Sequence, residues 1–220
     1  MEIENFTLGP FETNAWLLTD TTAGRCVLVD APPGAGKTIL PEIRARGLAL
    51  EALLLTHGHW DHMADAHHFA TPGTMVCAHR DDAGCFSNPE HYAPWYRLAL
   101  PHLTEADFQP VPISNWVEDG GTLPLLGKTW EVRHVPGHCP GNILFFCAQE
   151  HAAFPGDAIF AGSVGRSDLP GGSWPVLLKS IRERIYTLPD ATALYPGHGS
   201  PTRVGDEKRL NPYARPLPGN

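Results

Sequence analysis

Four potential metal ligands fall within one short run, Thr56-His57-Gly58-His59-Trp60-Asp61-His62. On extended backbone, residues two apart point the same way, so His57 and His59 can grip one ion together. Asp61 and His62 follow where the chain turns into a helix, and they can aim at a second ion nearby. Imidazoles with a carboxylate suit borderline divalent cations, zinc first, with iron or manganese as alternatives. The plain alternative is a polar loop that happens to be rich in histidine. Its weakness is position, because the run ends an apolar stretch, Leu50 to Thr56, rather than lying in a polar region.

Three further residues share one local style, in which an apolar run enters a Gly-containing loop that holds one ligand-type side chain. They are His138 in Val135-Pro136-Gly137-His138, Asp157 in Phe154-Pro155-Gly156-Asp157 and His198 in Leu194-Tyr195-Pro196-Gly197-His198-Gly199. A single Pro-Gly-His turn is more often structural than ligating. Three such loops following the first cluster in this order make a purely structural reading improbable.

The elements that must position these residues alternate between strands and helices. Thr13 to Thr19 and Arg25 to Asp30 read as a strand pair, with residues 21 to 24 turning between them. A helix is expected from Lys37 to Arg46, burying Ile39 and Ile43 and ending at Gly47. Strands are expected at Leu50 to Thr56, Thr74 to Ala78, Thr129 to Val135, Asn142 to Cys147, Ala152 to Phe154 and Ala191 to Tyr195. Met63 to Phe69 reads as a helix, as does Ala93 to Leu100 inside the long loops between Asp81 and Pro112. The clearest amphipathic helix is Trp174 to Leu188, with Val176, Leu177, Ile181 and Ile185 at helical spacing. This interleaving indicates the α/β class.

With its ligand-type residues in this order, the chain resembles the metallo-β-lactamase fold superfamily, whose pattern is HxHxDH followed by separate His, Asp and His loops. The likeness runs from Gly9-Pro10 and Asn14 to Asn211-Pro212-Tyr213. It implies a four-layer αββα sandwich, two sheets face to face with helices outside, over a single domain of residues 1–220. It also implies a two-metal site, with His57, His59 and His138 on one ion, Asp61, His62 and His198 on the other, and Asp157 bridging. Within the superfamily, Gly165-Arg166-Ser167-Asp168-Leu169-Pro170-Gly171-Gly172 is similar to the GRTDLPGG segment of short, glyoxalase II-like hydrolases, with Ser167 where Thr is usual. That subgroup is associated with hydroxyacylglutathione hydrolase activity, so a small-molecule thioester is the implied substrate. A divalent cation pair lowers the pKa of a shared water towards about 7, and Asp61 would fix that water's direction of attack. A thiol leaving group, with a pKa of about 8.5, needs little protonation, which suits a site with no separate general acid. The chain stops soon after His198, short of the C-terminal helical region that supplies much of the glutathione site in longer glyoxalase II enzymes. It also has Ala64-Asp65 where many relatives have Gly-Gly, and Cys139 where Thr is frequent. A mono-iron persulfide dioxygenase and a lactonase on the same fold are the enzyme alternatives, and a non-enzymatic metal-binding module is the alternative from another class.

Composition narrows the partners. A formal charge of −8 leaves no basic footprint for nucleic acid. No apolar stretch approaches the roughly 20 residues of a membrane span, and the opening residues read as mature protein. Five scattered cysteines at 26, 77, 85, 139 and 147 fit reduced thiols in the cytoplasm. The run Gly34-Ala35-Gly36-Lys37-Thr38 imitates the end of a phosphate-binding loop, but Ala31 stands where that motif needs Gly, and a helix-capping turn is the better reading. His67, His68, His79 and His134 read as packing or hydrogen-bonded supports, with His134 also weighed as a support to the ligands. His91, His102 and His151 carry no motif. Cys139 reads as packing beside His138 rather than as a nucleophile. Trp95, Tyr96 and Trp116 divide evenly between lining a substrate pocket and forming a minor core. Arg166 and Asp168 read as a pair that fixes their loop.

Overall fold

The computed structural model describes residues 1–215, which fall into two compact units, Met1–Trp116 and 117–215. The first holds a six-stranded sheet in the order β1-β2-β3-β4-β5-β6, built from β1 (Glu2–Leu8), β2 (Thr13–Asp20), β3 (Arg25–Val29), β4 (Ala49–Leu54), β5 (Met75–His79) and β6 (Asn115–Val117), the last reaching the boundary. The first three strands run antiparallel, and β3, β4 and β5 run parallel. Parallel neighbours need crossovers, and helix α1 (Ala35–Ala45) supplies the one between β3 and β4. Strand β2 lies between two others and is buried along nearly its whole length, which explains its unbroken run of Ala15, Trp16, Leu17 and Leu18. Helix α1 buries Ala35, Ile39 and Ile43, as its spacing predicts, and Gly47 follows at φ +63.

The phosphate-loop mimic has a structural occupant. The backbone N–H groups of Gly34 and Gly36, at the start of α1, donate to Asp65 Oδ2 at 3.0 and 2.9 Å. A carboxylate of the chain itself thus sits where a helix N-terminus favours an anion.

The helix expected over Met63–Phe69 is not a single element. Helix α2 spans Trp60–Met63, and a separate 3-10 turn covers Ala66–His68. The break has a physical cause at Asp65, whose N–H leaves the helical ladder to donate to the Ala31 carbonyl at 3.0 Å. Beyond β5, the excursion before β6 carries two short helices, α3 (Ala83–Ser87) and α4 (Ala93–Ala99).

The second unit holds a six-stranded sheet in the order β14-β13-β10-β9-β8-β7. Its strands are β7 (Thr122–Leu125), β8 (Lys128–His134), β9 (Ile143–Cys147), β10 (Ala152–Phe154), β13 (Ala193–Leu194) and β14 (Thr202–Arg203), with a small hairpin of β11 (Ile159–Phe160) and β12 (Ser163–Val164) between β10 and β13. Strand β9 is buried throughout, again the signature of a central strand. The amphipathic helix begins as α5 (Trp174–Ser180) and continues as a π-turn over Ile181–Ile185. Apolar residues at 177, 181 and 185 recur every four positions, slightly more than the 3.6 of a regular helix, and the wider turn keeps all three on one buried line. Each such side chain contributes about 1.5–3 kcal/mol by leaving water. Val176 falls outside that line and is exposed. A last helix, α6 (Val204–Leu210), packs its Val204 into the same core.

Candidate metal centre

The first unit gathers its four ligand-type residues where the chain leaves the C-terminal end of β4. His57 is buried; its Nδ1 lies 3.1 Å from the Thr56 hydroxyl. That hydroxyl has a single proton, and it goes to Asp30 Oδ2 at 2.7 Å. Thr56 must therefore accept from His57, which places the imidazole proton on Nδ1 and leaves Nε2 as the donor atom. His57 Nε2 lies 3.1 Å from His59 Nδ1. Two nitrogens held at 2.0–2.1 Å by one tetrahedral zinc stand about 3.3 Å apart, so this spacing fits a shared cation. His59 has extended backbone and opens α2, which is why HxH and DH sit on two different local geometries.

His62 is fully buried and donates from Nδ1 to Asp30 Oδ2 at 2.8 Å. Its Nε2 is thereby turned to within 3.6 Å of Asp61 Oδ2. The same Asp61 oxygen accepts from the Thr13 hydroxyl at 3.0 Å. Asp30 thus orients two histidines at once, one directly and one through Thr56, and it also accepts the Thr56 N–H at 2.8 Å. Its backbone sits at φ +60, a conformation held by the surrounding sheet and costing of order 1–3 kcal/mol. Gly58, between the two histidines, donates to Asp82 Oδ2 at 2.8 Å, and a Cβ there would run into Cys85 and Asp82.

The second unit gathers the other three. His138 is buried and donates from Nδ1 to the Arg166 carbonyl at 2.7 Å. Its Nε2 lies 3.7 Å from Asp157 Oδ2, and His198 Nε2 lies 3.3 Å from that same oxygen. One carboxylate oxygen set between two imidazole nitrogens suits a group shared by two cations. Asp157 is fixed by its own N–H, which donates to Asn142 Oδ1 at 3.3 Å, while Asn142 Nδ2 donates to the Pro155 carbonyl at 3.1 Å. Gly165 explains why its segment is glycine: a Cβ there would overlap the Asp157 carbonyl and approach His138 Nδ1 at 3.1 Å. Arg166 and Asp168 form the pair expected of them, at 2.7 Å and exposed, and the Arg166 guanidinium holds the Asp168 carboxyl down at about 2.

Thr13, Asp30, Thr56 and Asn142 are the supporting residues that sequence reasoning missed. None has a ligand-like spacing: Thr13, Asp30 and Asn142 act on groups far along the chain, and Thr56 acts on the adjacent His57. A signal for Asp30 existed, as an acidic residue closing an apolar strand needs a buried partner. Cys139 is buried beside His138, as expected of a packing residue. Tyr96 joins a minor cluster with Trp60 and Phe108, whereas Trp116 packs on the main core of the first unit beside Phe86. Trp95 is exposed.

Imidazoles fixed in one tautomer and aimed beside buried carboxylates serve one purpose well, the holding of divalent cations for hydrolysis. On its fold and this chemistry the protein is a metal-dependent hydrolase. The chain belongs to the metallo-beta-lactamase superfamily, whose family model matches residues 8–198. It is 34% identical, over 97% of its own length and 98% of the relative's, to hydroxyacylglutathione hydrolase GloC of Haemophilus influenzae. Among solved structures it is similar to BLEG-1 B3 metallo-beta-lactamase, with a TM-score of 0.84 and 30% identity over 97% of this chain and 99% of the other. It is likewise similar to TTHA1623 in a di-iron-bound form, with a TM-score of 0.79 and 34% identity over 96% and 99% of the two chains. These likenesses make the α/β architecture, with its two main sheets and flanking helices, the metallo-beta-lactamase fold.

Proposed function

We propose that the protein hydrolyses a thioester of hydroxyacyl-glutathione type at a two-cation centre. In this reading His57, His59 and His138 hold one cation, Asp61, His62 and His198 the other, and Asp157 bridges them. Two arrangements support it: the His57–His59 nitrogen pair at 3.1 Å and the single Asp157 oxygen set between His138 and His198. The observation that carries the substrate class is the 34% likeness, along nearly the full length of both chains, to a hydroxyacylglutathione hydrolase.

Bound divalent cations would supply an activated water and a Lewis acid for the carbonyl oxygen. The chain's own residues do the rest. Asp61, held by the Thr13 hydroxyl, accepts a hydrogen bond from the attacking water and sets its direction. Asp30 keeps the His62 and His57 rings from rotating as charge develops. The leaving thiol, with a pKa of about 8.5, departs as a thiolate without a dedicated acid. Zinc is the expected metal, with iron or manganese as the alternatives the donor set also accepts. The five cysteines are reduced thiols, which supports a cytoplasmic enzyme.

The test is a substrate panel on metal-loaded protein, covering glutathione thioesters, lactones, β-lactams and a persulfide. Thioester cleavage well above the others is expected. Lactone cleavage or sulfite formation without thioester cleavage would overturn the assignment. Asp157→Ala is expected to hold less than one cation per chain and to lose turnover, and an active variant would end the bridging role.

A further inference from the structure

The excursion carrying α4 is tied to the ligand helix by a tyrosine. The first N–H of a helix has no partner within it, and His59, at the N-cap of α2, offers no side-chain cap. Tyr96 supplies one from α4, its hydroxyl accepting from the Trp60 N–H at 2.9 Å. The Trp60 indole N–H in turn donates to the Asp107 carbonyl at 2.7 Å, so the excursion is pinned at two points. The Tyr96 ring lies 5.4 Å from that of Trp60, and Phe11 meets it edge-on at 6.2 Å. Phe11 stands two residues before Thr13, whose hydroxyl holds Asp61. One aromatic ring is therefore anchored to the residue before Asp61, and the other to the strand that holds Asp61.

Burial divides this cluster. Trp60 and Phe108 are each 4% exposed and form its interior, while Phe11 is 37% exposed and Tyr96 half-buried. The outward apolar surface beside Asp61 thus belongs to Phe11 and Tyr96. Its charge is one-sided. Arg97, the cation of α4, lies over Phe108 and is committed to both oxygens of Glu90, at 2.7 and 3.2 Å, and to the Leu103 carbonyl. Exposed Glu12 adjoins Phe11. A negatively charged group placed against these rings meets Glu12, while the guanidinium of α4 is already paired with Glu90.

We propose that Phe11 and Tyr96 form the wall against which the side chain of the substrate's acyl group packs, selecting an aryl or branched alkyl group over a methyl or a carboxylate-bearing one. The proposal rests on the thioester reading above and names the acyl class within it. Reaction at a water directed by Asp61 brings the acyl carbon beside that carboxylate, and the substituent next to the carbon then faces the two rings. Apolar burial against them favours a large substituent by about tenfold over a methyl.

The experiment compares the lactoyl, 3-phenyllactoyl and succinyl thioesters of glutathione on metal-loaded wild type, Phe11→Ala, Tyr96→Ala and Tyr96→Phe. Wild type is expected to prefer phenyllactoyl to lactoyl by about tenfold in kcat/KM, with succinyl poorest, mainly through KM. The aryl-to-methyl ratio should fall towards one in Phe11→Ala and Tyr96→Ala, and persist in Tyr96→Phe, which keeps the ring. Equal use of lactoyl and phenyllactoyl, or an unchanged ratio in Phe11→Ala, overturns the proposal. If no thioester is cleaved, the thioester reading fails by itself, and the wall is judged by quenching of tryptophan fluorescence. Tighter binding of 3-phenyllactate than of lactate, lost in Phe11→Ala, then sustains it, and equal binding removes it.

Discussion

Every buried histidine of the centre is aimed through the nitrogen that does not face the other ligands. His138 spends Nδ1 on a carbonyl, His62 on a carboxylate and His57 on a hydroxyl that is itself committed to that carboxylate. Such supports typically change metal affinity 10–100-fold when altered. Asp30 supports two ligands, so Asp30→Asn is expected to weaken cation binding by about 100-fold, at the upper end of that range. Competition with a chelating dye measures this; unchanged affinity would show that Asp30 serves only the strand. A second prediction concerns His67, away from the centre. Burial, then the neighbouring His68, lowers its pKa, so the folded state disfavours its charged form. The unfolded chain then binds more protons below the ordinary histidine value of about 6.5. The stability this neutral ring contributes is whole above that pH and is lost as pH falls through the lowered folded value. Melting temperatures between pH 7 and 5 should therefore fall less steeply in His67→Gln than in wild type. Parallel slopes would remove the effect.

At the scale of elements, close approach of backbone fixes where the second unit's ligands stand. Gly137 precedes His138 at φ +126, and a Cβ there would overlap the backbone of Leu177 in α5. Gly137→Ala should cost at least about 2 kcal/mol, from backbone strain alone, and a urea melt reads it directly; a loss under half of that would mean the loop yields easily. Legibility in the sequence follows the same physics. Elements with strong periodicity and clear punctuation were readable, as with β10 over Ala152–Phe154 and α1 ending before Gly47. Strand β1 was not, because it pairs only with β2 at the sheet edge, and its sequence Glu-Ile-Glu-Asn-Phe-Thr-Leu is half polar. The two-residue strands β11, β12 and β14 exist through pairing, which no local pattern announces. The seven ligand-type residues stand out in the sequence because metal chemistry restricts residue type and spacing. Their supports were not, since Asp30 and Thr13 act on groups 26 to 48 positions away. The excursion between Arg80 and Ile113 was the least legible part, and its Tyr96 latch emerged only from geometry.

At the scale of the molecule, ligand-type residues come from both compact units, four from Met1–Trp116 and three from residues 117–215. The superfamily match over residues 8–198 spans both. The two-cation reading proposed above needs both sets of residues, and cation occupancy should therefore govern turnover. The most direct test is to titrate metal-free protein with zinc while following hydrolysis of a glutathione thioester. Turnover is predicted to rise until two cations are bound per chain and then to level off. A plateau at one cation, or no thioester cleavage at any occupancy, would contradict the two-cation thioesterase.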